Sequence, residues 1–104
     1  MNKFGLSDEQ INSIREVLRH FPEVEQAILY GSRAKGNYKP ASDIDLTLKG
    51  SRVNTEIMNK IKLATYDLPL PYTIDYSVFH HISNEALVDH IKRVGKLFYE
   101  KSTI

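Results

Sequence analysis

Cysteine is absent from the 104 residues, and with it disulfides, thiol nucleophiles and thiolate metal sites. An excess of either charge is also lacking: fourteen basic against thirteen acidic side chains leave a formal net charge of +1. General nucleic-acid binding driven by charge alone is therefore not expected. No apolar run approaches the length of a membrane span, and the polar N-terminus has no signal-peptide core. No membrane is expected as a partner, and the cytoplasm is the expected location. Repeats, low-complexity tracts and linkers are missing too, so residues 1–104 read as a single domain. With 41% hydrophobic and 26% charged residues the chain has the composition of a globular protein rather than a disordered one.

What is present concentrates between Ile28 and Lys49, in ILYGSRAKGNYKPASDIDLTLK. A Gly31-Ser32 turn directly follows an apolar run, and Asp43 and Asp45 then occupy alternate positions in a second one. Alternate residues of a strand point to one face, which puts the two carboxylates together, roughly 6–7 Å apart along the strand. Such a pair repels unless a positive group lies between, and the usual remedy is a divalent cation. A backbone-amide turn beside a carboxylate pair suits a metal-bound phosphate, which points to a nucleotide.

Other chemistries share these residue types. Asp-x-Asp-x-Thr also opens the phosphatases with an aspartate nucleophile, but there a buried apolar strand leads in, whereas here Lys39-Pro40-Ala41-Ser42 does. A calcium loop of the EF-hand kind needs Gly at its sixth position, and counting from Asp43 that position is Leu48. The plain alternative is a half-buried strand whose polar face happens to be acidic, although strand interiors are depleted in Asp.

A third carboxylate extends the pattern. Leu70 to Phe79 reads as another strand, with Ile74, Tyr76 and Val78 on one face and Thr73, Asp75 and Ser77 on the other. Ile44, Leu46 and Leu48 form the matching core face of the earlier strand. If the two strands are neighbours, Asp75 joins Asp43 and Asp45. If they are not, it is a solvent-facing residue on an exposed sheet.

The remaining elements follow from caps and periodicity. Ser7 with Gln10 forms a capping box ahead of a helix striped by Ile11, Ile14, Val17 and Leu18, ending near Phe21-Pro22. Val24 to Tyr30 is the first strand, and a short helix at about Arg33 to Lys35 leads to a turn-rich loop from Gly36 to Ser42. Asp43 to Lys49 is the second strand. A helix from about Asn54 to Tyr66 turns Ile57, Met58 and Ile61 inward, and the strand with Asp75 comes next. Asn84 or Ser83 caps a last helix with Leu87, Val88, Ile91 and Val94 inward, stopped by Gly95, and Lys96 to Glu100 adds a short edge strand. The predicted class is α/β (α+β): a small mixed sheet with helices packed on one face and the active site on the other.

Gly31-Ser32-Arg33-Ala34-Lys35-Gly36, then Ser42-Asp43-Ile44-Asp45-Leu46, then a lone Asp75 on a later strand, resembles the DNA polymerase beta-type nucleotidyltransferase superfamily. Within it the chain is most similar to the minimal nucleotidyltransferases (MNT), the partners of HEPN-domain proteins. That family often has Arg where Lys35 stands, a change that keeps the charge and loses the bidentate fork. The resemblance covers nearly the whole chain and implies the nucleotidyltransferase fold. It also implies catalysis by two Mg²⁺ (or Mn²⁺) ions held by Asp43, Asp45 and Asp75, with ATP as substrate.

In that setting Gly31 lets the backbone approach the triphosphate, and Ser32 adds a hydroxyl donor. Arg33 and Lys35 are candidates for neutralising the leaving pyrophosphate, either of them alternatively a solvated surface charge. Ser32 as a covalent nucleophile is disfavoured, because the flanking pattern is not Gly-x-Ser-x-Gly.

Polymerases and antibiotic-modifying enzymes of the superfamily carry further domains for which 104 residues leave no room, so the acceptor is expected on another molecule. The resemblance names a HEPN-domain protein, usually encoded by an adjacent gene, in a toxin–antitoxin pair. The implied activity is transfer of AMP to a tyrosine of that toxin, within a homo- or hetero-oligomer. The alternative is a binding module that neutralises the partner by occlusion.

His80, His81 and His90 match no zinc spacing and read as surface residues, with His90 on the polar side of the last helix. Tyr30 and Tyr76 fall where a core or pocket wall is expected, and an exposed tyrosine such as Tyr38 is a candidate for stacking on a base.

Overall fold

The computed structural model describes residues 2–102. Its chain order is β1 (Asn2–Lys3), β2 (Leu6–Ser7), α1 (Asp8–Arg19), β3 (Gln26–Tyr30), α2 (Ser32–Lys35), β4 (Ile44–Lys49), α3 (Thr55–Tyr66), β5 (Ile74–Val78), a 3-10 turn (Phe79–His81), α4 (Glu85–Val94) and β6 (Lys96–Glu100). Four strands form a mixed sheet in the order β5-β4-β3-β6. β3 runs antiparallel to both β4 and β6, while β4 and β5 are parallel, joined through the crossover helix α3.

Local chemistry sets the helix starts. Ser7 Oγ accepts from Gln10 N at 3.1 Å and Gln10 Oε1 accepts from Ser7 N at 3.0 Å, closing the capping box. Asn54 Oδ1 caps α3 by accepting from Ile57 N at 2.9 Å, and Asn84 Oδ1 caps α4 by accepting from Leu87 N at 3.2 Å. Each such cap is worth about 1 kcal/mol.

Alternation in the strands then sorts the side chains. Ala27 and Leu29 of β3, Ile44, Leu46 and Leu48 of β4, and Tyr76 and Val78 of β5 are buried together with Ile11, Ile14 and Leu18 of α1 and Ile61 of α3. The two long helices thus cover one face. The opposite face carries Tyr30, Asp45, Thr47, Asp75 and Ser77. α4 packs along that second face beside β3: Ile91 is buried there, and Gly95 lies so close to Ile28 and to the Ile91 carbonyl that a Cβ would overlap both. Gly95 ends α4 at an ordinary negative φ of −59°, so close packing requires the glycine here rather than a left-handed cap.

The strands start later than the sequence pattern sets them, with β3 beginning at Gln26 instead of Val24 and β4 at Ile44 instead of Asp43. β5 starts at Ile74 instead of Leu70, because Leu68 and Leu70 turn inward against the core as part of the loop after α3. The β1–β2 hairpin has no counterpart in the sequence pattern. Its turn places Phe4 (φ 60°) and Gly5 (φ 76°) in the left-handed region, and Phe4 is not a residue that advertises such a turn. No described helix is long and apolar enough to cross a membrane.

Candidate active site

The site is built where β3 stops. Gly31 follows Tyr30 with φ 74° and ψ −156°, a conformation costly for any residue with a Cβ. Space demands glycine independently, since a Cβ built there runs into the Asp45 carboxylate. The chain then enters α2, whose backbone bonds are Lys35 N to Gly31 O at 3.1 Å and Gly36 N to Ser32 O at 2.9 Å. The amides of Ser32, Arg33 and Ala34 precede the first of these bonds, as the opening N–H groups of any helix do.

Asp45 stands beside this turn, paired with Tyr30 on one side and with Asp75 on the other in the parallel register of β4 and β5. Neighbouring strands are about 4.8 Å apart, so the two carboxylates are side by side on one face. Asp43 lies just ahead of β4 and is exposed, as is Asp75, while Asp45 is half-buried. Burial raises the Asp45 carboxyl above its ordinary value, Asp75 and then Asp43 push it further, and His90 opposes the rise whenever that ring is charged. Burial also raises the Tyr30 hydroxyl; Ser77 counters this, and Asp45 and Asp75 add to it. Ser77 Oγ nevertheless makes no well-aligned hydrogen bond, and it and its cross-strand neighbour Thr47 Oγ1 are buried without a partner among the described residues.

Among the described residues no three His, Asp or Glu side chains form a ready cage for a metal ion. The donor set still fits a hard divalent cation of the Mg²⁺ kind. Such an ion prefers carboxylate oxygens, and it binds through one or two of them plus water and substrate phosphate rather than in an all-protein cage. The repulsion carried by Asp45 is the charge that such an ion neutralises.

Asp43 and Asp75 also line a cleft of about 600 Å³ that runs toward Lys62, Tyr66 and Tyr72. A larger cleft of about 1040 Å³ opens around Lys49, Arg52 and Glu100, but it touches none of the three aspartates and lies at the other end of β4.

Ser32 is half-buried at the first position of α2, and Lys35 is exposed at its last. Arg33 occupies a different place from the one expected. It is only 2% exposed, and all three guanidinium nitrogens donate to backbone carbonyls: Nε and Nη2 to Ser42 O at 3.0 and 2.8 Å, Nη1 to Phe4 O at 2.9 Å, and Nη2 also to Pro40 O at 3.4 Å. The Tyr72 and Tyr38 rings flank it, with centroids 4.5 and 5.2 Å from Cζ. Arg33 therefore ties the N-terminal hairpin to the loop before Asp43 and is turned away from the phosphate turn. Tyr38 packs on Arg33, which occupies the ring proposed for a base.

His90 is the residue that sequence reasoning misplaced. It is half-buried, not on an open surface, and its Nε2 accepts from Gly31 N at 3.2 Å. The amphipathic pattern puts it on the polar side of α4, and that pattern cannot reveal that this side faces the carboxylates. His80 and His81 are exposed, as expected, and pack ring to ring 4.7 Å apart.

The family model described as polymerase beta, nucleotidyltransferase matches residues 12–104. Among solved structures, the chain is similar to a crystal structure of a toxin–antitoxin with AMP-PNP, at a TM-score of 0.69 and 22% identity, covering 88% of this chain and 74% of that one. A mutant of the MntA–HpeT toxin–antitoxin matches at a TM-score of 0.66 and 19% identity, with the same coverage. No curated protein matches the chain.

Proposed function

Since the chain belongs to the polymerase beta nucleotidyltransferase family, we propose that it transfers AMP from ATP to a hydroxyl, that of a tyrosine, on a HEPN-domain partner, and so acts as the antitoxin of a toxin–antitoxin pair. The observation that carries the reading is the pairing of Asp45 with Asp75 beside the Gly31 turn, which gathers carboxylates where a triphosphate can lie against backbone amides. The likeness to toxin–antitoxin structures supports a toxin as the partner.

Asp43, Asp45 and Asp75 would hold divalent cations, two in this chemistry, which would supply positive charge to the phosphates and make the attacking hydroxyl easier to deprotonate. The chain's own groups do the rest. Gly31 leaves the approach to the turn open, the N–H groups of Ser32 and Arg33 and the Ser32 hydroxyl donate to phosphate oxygens, and Lys35, exposed at the end of α2, is the cation for the pyrophosphate. The Asp75 carboxylate accepts the proton of the acceptor hydroxyl. That oxygen then bonds to the α-phosphorus while the bond to the bridging oxygen breaks, and pyrophosphate leaves. The Asp43–Asp75 cleft leaves room for the acceptor side chain from the side of Lys62 and Tyr66.

The test is to incubate the purified chain, its HEPN-type genomic neighbour, ATP and Mg²⁺, and to weigh the neighbour by mass spectrometry. One or more AMP units should appear on a tyrosine. Asp75→Asn should abolish the gain and the protection of cells, yet still co-purify with the partner. Full protection by Asp75→Asn, with no modified neighbour in the wild-type reaction, would establish occlusion instead.

A further inference from the structure

Helix α4 reaches the site through one side chain. The Gly31 N–H donates to His90 Nε2 at 3.2 Å, and the same imidazole stands edge-on to Tyr30, the rings 6.2 Å apart at 80°. A backbone N–H can only donate, so Nε2 receives with its lone pair and the proton of the neutral ring sits on Nδ1. A ring carrying protons on both nitrogens has no lone pair to offer Gly31, so the observed bond is one made by a ring with a free Nε2. The support behind the ring is firm. Ile91, the next residue, is buried, and Gly95 closes α4 against Ile28.

Gly31 is the point at which this support matters. It links β3 to α2 at φ 74°, and without a Cβ its torsions are the softest in the segment. Its N–H lies in the Tyr30–Gly31 peptide plane, so holding that plane fixes the end of β3 from which Gly31 φ and ψ aim the next amides, those of Ser32 and Arg33. We propose that His90 is a positioning residue for the nucleotide: its neutral, Nδ1-protonated ring holds the Gly31 amide, so that this N–H is withheld from the phosphates and the Ser32 and Arg33 amides face them before ATP arrives. The inference rests on the reading of the Gly31-Ser32 turn as the phosphate cradle.

Two variants test it. His90→Phe keeps a ring of similar shape and removes the acceptor, while His90→Gln can place Oε1 near the position of Nε2. Amide ¹H–¹⁵N spectra of the free protein should show the Gly31 proton moving upfield in His90→Phe and returning toward wild type in His90→Gln. The wild-type imidazole ¹⁵N pattern should be that of a ring protonated at Nδ1. Titration with Mn-ATP should give a Kd about tenfold weaker for His90→Phe and close to wild type for His90→Gln, the scale of one hydrogen bond. Melting temperatures should stay nearly level.

An unmoved Gly31 amide in His90→Phe overturns the hydrogen bond. A moved amide with unchanged Kd overturns the positioning role. Equal weakening in both variants with a parallel drop in melting temperature assigns His90 to packing alone. Failure of the wild-type protein to bind Mn-ATP brings down the nucleotide reading and this role with it, whereas a wild type that binds beside an unaffected His90→Phe brings down this role alone.

Discussion

Arg33 grips the carbonyl of Ser42 with two of its nitrogens, at 3.0 and 2.8 Å, one residue before Asp43. The loop that delivers the first aspartate is therefore anchored from inside α2, and the same guanidinium reaches Phe4 O in the hairpin turn. That bond helps explain why a phenylalanine is held at φ 60° there.

Arg33→Lys should therefore act mainly on stability. An ammonium has no planar fork and cannot serve three carbonyls at this geometry, and hydrogen bonds to a charged group are worth about 1.5–3 kcal/mol each. Urea unfolding should show a loss of about 2–4 kcal/mol. ATP affinity at a temperature where the variant is folded should change far less. Normal stability with lost ATP binding would return Arg33 to the phosphates.

Asp45→Asn should stabilise the metal-free protein near neutral pH. The folded-state pKa of Asp45 is raised, first by burial and then by Asp75 and Asp43, so the folded chain holds this proton more tightly than the unfolded one. The stability it contributes is present below the ordinary carboxylate pKa and is lost as pH rises through the raised value. Melting curves should show the variant ahead of wild type above that window and level with it at acid pH. A constant advantage at every pH would point to packing instead.

Metal and nucleotide should reverse that ranking. Mg²⁺ or Mn²⁺ with ATP should raise the wild-type melting temperature by linkage, by an amount that grows with ligand concentration. Asp43→Asn combined with Asp45→Asn should remove the response and leave the fold intact. A double mutant that still responds to Mn-ATP as the wild type does would place the site elsewhere.

The turn separates two kinds of loss. Ser32→Ala deletes one donor and should weaken ATP binding by about 1.5–3 kcal/mol at most, with stability unchanged. Gly31→Val must adopt a positive φ and displace the Asp45 carboxylate, so it should lose ATP binding altogether and also destabilise the protein. Calorimetric titration of both variants checks this, and wild-type affinity in Gly31→Val would remove the turn from the phosphate path.

The sequence alone determined whatever depends on near neighbours in the chain. The capping box at Ser7 and Gln10, the Asn54 and Asn84 caps and the apolar stripes of α1 and α3 follow from residues a few positions apart, because caps and periodicities are local interactions. Tertiary structure alone decided which segments lie side by side. Asp75 stands next to Asp45 because β5 pairs in parallel with β4, a register set by the buried faces of both strands and by the crossover through α3. Arg33 turns inward because the hairpin and the loop before Asp43 close over it and present carbonyls that need donors. His90 meets Gly31 across 59 residues because Gly95 and Ile91 seat α4 on the carboxylate face. Such contacts depend on where distant surfaces settle in the packed molecule, and no spacing of residues along the chain encodes that by itself.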